Sequence, residues 1–148
     1  MFSFFGSKDS FQQRIELLKR FHLSSALESH LAEHMEGREW KPGEVVTEEG
    51  DEGGSMFFIN SGNLVVKKKN HDGDNVKIAE MNAGDFFGEI AMLKGNLRSS
   101  TVVIEKQSYL YELKWEDIKF LVKSKPELDK QLRDALAQRD ENDKQKLI

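Results

Sequence analysis

Two stretches near the start of the chain repeat apolar residues at helical spacing: Ile15, Leu18 and Phe21 (or Leu17), then Leu27, Leu31 and Met35. Ser10-Phe11-Gln12-Gln13 and Ser25-Ala26-Leu27-Glu28 each fit the capping box, whose side chains satisfy the first free amides of a helix. Gly37 is expected to stop the second helix. From Arg38 to Leu113 the period shortens to that of strands. The segments are Arg38–Trp40, Val45–Glu48, Met56–Asn60, Asn63–Lys69, Val76–Glu80, Thr101–Glu105 and Ser108–Leu113. Pro42-Gly43, Gly53-Gly54, Ser61-Gly62, Asp72-Gly73 and Gly84-Asp85 punctuate them, and Asp72-Gly73 is a strong hairpin signal.

Helical spacing returns at Trp115-Glu116-Asp117, followed by Ile118, Leu121 and Val122. Ser124-Lys125-Pro126-Glu127 opens a further helix with a capping serine and a first-turn proline, and Leu128, Leu132 and Leu136 align on one face. One domain is expected, with helices in 9–37, β structure in 38–114, C-terminal helices in 115–140 and a charged tail in 141–148. Nine of the eleven glycines lie between Gly43 and Gly95, which marks the middle as turn-rich. No helix of about 10–15 residues alternates with the strands, so a parallel βαβ sheet is not expected and a sandwich or barrel is favoured. The fold class is mainly β with flanking helices.

At 148 residues the chain suits a single core. Its net charge of −4 argues against a nucleic-acid partner but leaves room for one small basic pocket. The sequence has no cysteine, which removes disulfides, thiolate nucleophiles and Cys-based metal sites, and fits a reducing cytoplasm. No window approaches the ~20 apolar residues that cross a bilayer, so no membrane partner is expected. Met1-Phe2-Ser3-Phe4-Phe5-Gly6 lacks the flanks of a secretion signal, and Phe2, Phe4 and Phe5 are expected to pack on the body or a second chain.

His30-Leu31-Ala32-Glu33-His34 has the spacing of an inverted zinc-protease motif. Leu31 and Met35 claim the buried face of that helix, and no third ligand presents itself, so the histidines read as a surface pair. Only His71 lies in the β region, too few imidazoles for a metal-binding cupin. Asp72, Asp74 and Asn75 lack the glycine and closing glutamate of a calcium loop. They read as a solvated hairpin tip.

The informative stretch is Gly84-Asp85-Phe86-Phe87-Gly88-Glu89-Ile90-Ala91-Met92-Leu93, followed by Lys94-Gly95-Asn96-Leu97-Arg98-Ser99-Ser100-Thr101-Val102. Gly88 allows a tight approach, and a helical turn from Glu89 to Leu93 aims free amides at one point, where an anion is attracted. Arg98 offers a planar fork of donors to a phosphate, and Ser99 and Ser100 add hydroxyls. Glu89 fits a ribose hydroxyl. A loop with a surface Arg–Glu pair is the plainer reading of the same residues.

Phe87-Gly88-Glu89-Ile90-Ala91 through Arg98-Ser99-Ser100-Thr101-Val102 resembles the phosphate-binding cassette of the cyclic nucleotide-binding domain family. Gly50, Met56-Phe57-Phe58-Ile59, Ser61-Gly62-Asn63-Leu64-Val65-Val66 and Gly84-Asp85 extend the resemblance upstream, strongly over Arg38 to Leu113. The resemblance implies an eight-stranded jelly-roll barrel with an N-terminal helical bundle and C-terminal hinge or lid helices. It gives Glu89 the ribose 2′-hydroxyl and Arg98 the cyclic phosphate, with Gly88, Ile90, Ala91 and Ser99 completing the cradle. Val66, Ala79 and Met81 fall at base-pocket positions, and Leu132 or Leu136 is the expected lid.

Three departures stand out. Ser99 replaces the Ala of cAMP-selective kinase sites and the Thr frequent in cGMP-selective ones, a serine shared with many bacterial cAMP sites. Ser100 replaces a common Ala and makes the cradle more polar. No aromatic residue follows Phe120, so an aliphatic lid takes the place of an aromatic base cap.

The expected function is a cytoplasmic, non-catalytic sensor of cAMP, with cGMP the alternative ligand. No cofactor or metal is expected, and no nucleophile–base pair for hydrolysis is visible. The output is expected through an effector domain or a homodimer partner, by way of the N- or C-terminal helices. The rival is a ligand-free, vestigial barrel used for docking or dimerisation.

Overall fold

A computed structural model describes residues 9–127 and 130–134, excepting the side chains of 120–122. Leu128 and Leu136, and with them part of the proposed lid, lie outside the described residues, as do Phe2, Phe4 and Phe5.

The chain opens with α1 (Phe11–Leu18), a 3-10 turn over Lys19–Phe21 and α2 (Ser25–His34). Ser10 caps α1 as expected, its Oγ accepting from the Gln13 amide at 3.1 Å. The cap of α2 is Ser24 rather than Ser25, one residue earlier than expected, with the Leu27 amide donating to its Oγ at 3.3 Å. Gly37 does not stop α2. The helix ends at His34 with Met35 extended, and Gly37 sits inside the next strand. There a Cβ would collide with the Tyr109 ring, so the glycine serves a close cross-strand approach.

The β region is one antiparallel sheet built from β1 (Glu36–Trp40), β2 (Val45–Thr47), β3 (Ser55–Lys69), β4 (Asn75–Asn82), β5 (Phe86–Phe87) and β6 (Thr101–Lys114). Its main order is β1-β6-β3-β4, with β2 also on β6 and β5 also on β3. The expected strand pairs Met56–Asn60 with Asn63–Lys69, and Thr101–Glu105 with Ser108–Leu113, are continuous strands. Ser61-Gly62 forms no turn. β3 runs through it with register shifts from Ile59 to Leu64 against β6, and the Asn63 amide donates to Ser108 Oγ at 3.2 Å. Bulges of this kind bend a strand without ending it. The Asp72-Gly73 hairpin is present between β3 and β4, where Asn70 Oδ1 accepts from the amides of Asp72 (2.9 Å) and Asp74 (3.0 Å).

Alternation along β3 and β6 divides the core in two. Phe57, Ile59, Leu64, Val66 and Leu110 turn into one cluster with Met81, Phe87, Val102 and Ile104. Met56, Phe58, Tyr111 and Leu113 turn the other way, against Leu18, Leu27, Leu31, Ala32 and Met35 of the N-terminal helices. α4 (Trp115–Ser124) follows β6 directly and adds Ile118 to that second cluster. Leu132, in the helical residues 130–134, joins it too. The N-terminal helices and α4 therefore cover one side of β3 and β6, where Met92 of α3 (Glu89–Lys94) also packs, while the other side encloses the sheet interior.

His30 and His34 are partly buried and stack at 5.8 Å between ring centroids. Among the described residues no group of three or more His, Cys, Asp or Glu side chains is placed to hold a metal. No helix among the described residues is long and apolar enough to cross a membrane.

Candidate anion-binding site

Gly88 begins the site. It caps α3 at φ +90°, a left-handed conformation that a side chain rarely tolerates. A Cβ there would also stand 2.5 Å from Arg98 Nη1 and 2.9 Å from the Ser55 carbonyl oxygen. Both the conformation and the crowding require glycine.

Arg98 is 8% exposed. Its Nη2 donates to the Ser55 carbonyl at 2.7 Å and its Nη1 to the Gly88 carbonyl at 3.3 Å. The main chain is clamped as well: the Arg98 amide donates to the Asp51 carbonyl at 2.7 Å, and the Gly50 amide donates to the Arg98 carbonyl at 2.9 Å. Glu52 and Leu97 continue this bridge between the loop after β2 and the loop after α3. Burial draws the Arg98 pKa down, and the negative charges of Glu112 and then Glu89 oppose it. An arginine still keeps its charge at neutral pH. The result is a buried cation with two of its five N–H donors spent on backbone carbonyls.

That cation lines a small cavity of about 80 Å³ with Thr47, Phe87, Gly88, Ile90, Ala91, Asn96, Leu97, Ser99 and Ser100. Six expected site residues thus line one cavity: Gly88, Ile90, Ala91, Arg98, Ser99 and Ser100. Ser100 is buried and Ser99 exposed, with its carbonyl accepting from Lys68 Nζ at 3.0 Å. Glu89 is 7% exposed at the first position of α3, outside the cavity lining but within electrostatic reach of Arg98.

The expected base-pocket residues are placed elsewhere. Val66 and Met81 are completely enclosed in the interior core, and Ala79 packs against that core without lining this cavity. The apolar walls beside Arg98 are Phe87, Ile90, Ala91 and Leu97. Leu132 packs with the N-terminal helices, away from the cavity.

A second cavity, of about 380 Å³, adjoins the first through Thr47 and Arg98 and is lined by Glu48, Asp51, Glu52, Ser55 and Glu112 among others. Sequence reasoning missed Gly53, Ser55, Thr47 and Glu112 as site residues. Gly53 had a signal in its pairing with Gly54. Its missing Cβ makes room for the Ala91 methyl, and a Cβ there would come within 3.0 Å of Arg98 Nε.

Residues 37–125, more than half of the chain, match the cyclic nucleotide-binding domain. The chain belongs to the cyclic nucleotide-binding domain family. It is 33% identical over 94 residues to a cAMP-dependent protein kinase regulatory subunit of Mycosarcoma maydis, covering 64% of this chain and 17% of that protein. It is 34% identical over 97 residues to a cyclic nucleotide-gated potassium channel of Rhizobium etli, covering 66% of this chain and 26% of the channel. The chain thus spans about a quarter or less of the length of these relatives. In fold it resembles a cyclic nucleotide-binding domain from Methylobacillus flagellatus, with a TM-score of 0.78 at 23% identity over 89% of this chain and 76% of that one. Within this family the matched region of 37–125 holds both β6 and the loop that carries Arg98.

Proposed function

We propose that the chain is a regulatory domain that binds a cyclic nucleotide, cAMP first and cGMP as the alternative, at the Arg98 cavity. The observation that carries this reading is a buried guanidinium on a cavity wall, beside the Gly88 turn and the hydroxyl-bearing Ser99 and Ser100. An anion entering there replaces water as the partner of three remaining N–H donors, in a setting where charge-assisted bonds are strong. Arg98 takes the cyclic phosphate, with the Ile90 and Ala91 amides and Ser99 beside it. Glu89, at the start of α3, takes the ribose 2′-hydroxyl. The purine lies against the aliphatic groups of the cavity, and Leu132 or Leu136 supplies the lid.

The role is regulatory rather than catalytic, in a cytoplasmic setting, with the signal passed to an effector domain or a second copy through the terminal helices. The sheet is read as the family's eight-stranded jelly roll, because the register shifts in β3 and β6 divide each into two arms. Val66, Ala79 and Met81 remain the floor beneath the base in this reading, reached when the interior cluster opens.

Isothermal calorimetry with cAMP, cGMP and 5′-AMP tests the proposal. A cyclic nucleotide is expected to bind more tightly than 5′-AMP and, at about 100 times its Kd, to raise stability by about 2.7 kcal/mol. Absence of heat and of any melting shift with both cyclic nucleotides would replace this reading with the vestigial docking barrel.

A further inference from the structure

Among the inward-facing positions of β6, one is a carboxylate. Leu110 points into the sheet interior, and two residues on, Glu112 lines the cavity that also holds Arg98. Glu112 is not a surface charge that happens to lie nearby. Its Oε2 accepts from Ser55 Oγ at 2.8 Å, and Ser55 is 7% exposed. The same serine offers its carbonyl oxygen to Arg98 Nη2 at 2.7 Å. Glu112 and Arg98 are therefore linked through two groups of one residue: the serine hydroxyl donates to the carboxylate, and the guanidinium donates to the serine carbonyl. Among the neighbouring charges, that of Glu112 is the first to offset the burial of Arg98.

We infer that Glu112 is a positioning residue for the phosphate-binding arginine, acting through Ser55. The inference rests on the reading of the Arg98 cavity as the cyclic nucleotide site. Its physical basis is the anchoring of a long side chain. Arg98 has several rotatable bonds, and holding it in one geometry costs rotamer entropy that a flexible arginine meets on binding. Here the Ser55 carbonyl and the Gly88 carbonyl fix the guanidinium plane beforehand. Ser55 is held in turn by its strand pairing with Lys114 and by the bond from its hydroxyl to Glu112, which fixes the side the residue presents to Arg98.

A negative charge also opposes an incoming phosphate, so two effects of opposite sign meet at Glu112. The cavity between them is large and polar, which screens the direct repulsion. The hydrogen-bonded link to Arg98 is short and buried on the serine side, and such networks carry coupling that exposed charges do not. Positioning is therefore the stronger effect, and removing the charge weakens binding.

A double-mutant cycle on cAMP binding tests this, using Glu112→Gln in the native background and in Arg98→Lys, which keeps the charge but loses the fork. Glu112→Gln is expected to weaken cAMP about three- to thirtyfold in the native background, the scale of coupling within one hydrogen-bond network. In Arg98→Lys the same change is expected to cost less than about twofold. Ser55→Ala, which keeps the carbonyl and removes the hydroxyl, is expected to reproduce part of the native-background loss, with the melting temperature of both single variants near that of the parent. Equal losses in the two backgrounds, or tighter binding by Glu112→Gln, would overturn the inference. Should Glu112→Gln fail to fold, Ser55→Ala in the two backgrounds decides the matter in the same way. If the parent chain binds no cyclic nucleotide, it is the proposed function that fails. A parent that binds, with losses that do not depend on Arg98, sinks this inference alone.

Discussion

The Tyr111 hydroxyl donates to Asp9 Oδ1 at 3.0 Å, tying a fully buried ring of β6 to a residue that precedes the first helix. Arg14 completes the arrangement. It grips both oxygens of Asp9 at 3.1 and 3.0 Å, reaches the Ala32 carbonyl at 3.1 Å, and lies 5.4 Å from the centroid of the Tyr111 ring. One polar cluster thus fastens α1 and α2 to the sheet.

Tyr111→Phe is expected to lower stability by about 1 kcal/mol, one buried hydrogen bond, because Arg14 still satisfies Asp9. At this chain length the melting temperature falls by about 2–4 °C per kcal/mol. Denaturant melts of the two proteins check the value. A loss several times larger would mean that the ring itself had shifted.

The same cluster sets a pH dependence with two limbs. The Arg14 hydrogen bonds hold the Asp9 carboxyl below its ordinary range, against the opposing effect of burial and with help from Tyr111. A lowered carboxylate contributes stability that is present above its unfolded pKa, about 4, and lost as the pH falls through the folded value. Burial first, and Asp9 second, push the Tyr111 phenol far upward. Its contribution is complete below about pH 10 and is lost as the pH rises beyond that point, because the unfolded chain then releases the proton first. Melting curves from pH 2 to 11 should show both limbs, and Tyr111→Phe should flatten the alkaline one. An unchanged alkaline limb in that variant would assign it to other groups.

Gly53→Ala and Gly54→Ala are adjacent changes with opposite expectations. A Cβ at Gly53 would overlap the Ala91 methyl and press on Arg98, whereas one at Gly54 meets nothing within 4 Å. Overpacking of this kind costs about 1–3 kcal/mol. Relieved by displacing Arg98 or α3, it should weaken cAMP about five- to hundredfold, while Gly54→Ala binds as the parent does. Calorimetry giving both variants the same affinity would remove Gly53 from the site.

Arg98→Ala and Glu89→Gln separate phosphate from sugar. Arg98→Ala removes charge-assisted bonds worth about 1.5–3 kcal/mol each, so a ten- to several-hundredfold loss of cAMP affinity is expected. Glu89→Gln should weaken cAMP but not its 2′-deoxy analogue. Should the variant and the parent discriminate equally against the deoxy ligand, Glu89 has no ribose role.

Leu132 is buried at 4% exposure among the N-terminal helices, so a lid that uses it must first leave that cluster. Hydrogen exchange with and without cAMP should then change in residues 130–134 and in α2 together, alongside new protection from Gly88 to Thr101. A response confined to the last segment would take Leu132 out of the lid.

What the sequence disclosed divides along a physical line. Local chemistry was legible: the Ser10 cap, the Asp72-Gly73 hairpin, the Gly88 turn and the Arg98 loop all follow from residues a few positions apart. Features decided by partners far along the chain were not. Ser61-Gly62 has the composition of a turn, and only its pairing with β6 makes it a bulge within a continuous strand. Gly37 looks like a helix stop until the Tyr109 ring is seen to cross it. Glu112 was missed for the same reason, since a charged residue in an alternating strand is ordinarily assigned to the solvent face. Its true face is set by Phe57 and Glu36, with which it is in register.

The paired amide bonds between Arg98 and the Gly50-Asp51 loop bear on the kinetics of recognition. A binding loop stitched to its neighbour through main-chain atoms is already in place when a ligand arrives, so little ordering entropy is charged to association. Encounter then needs no slow loop closure around the cation, and association rates should be similar for different cyclic nucleotides. Preference among them would be expressed in how long each one stays, as dissociation rates.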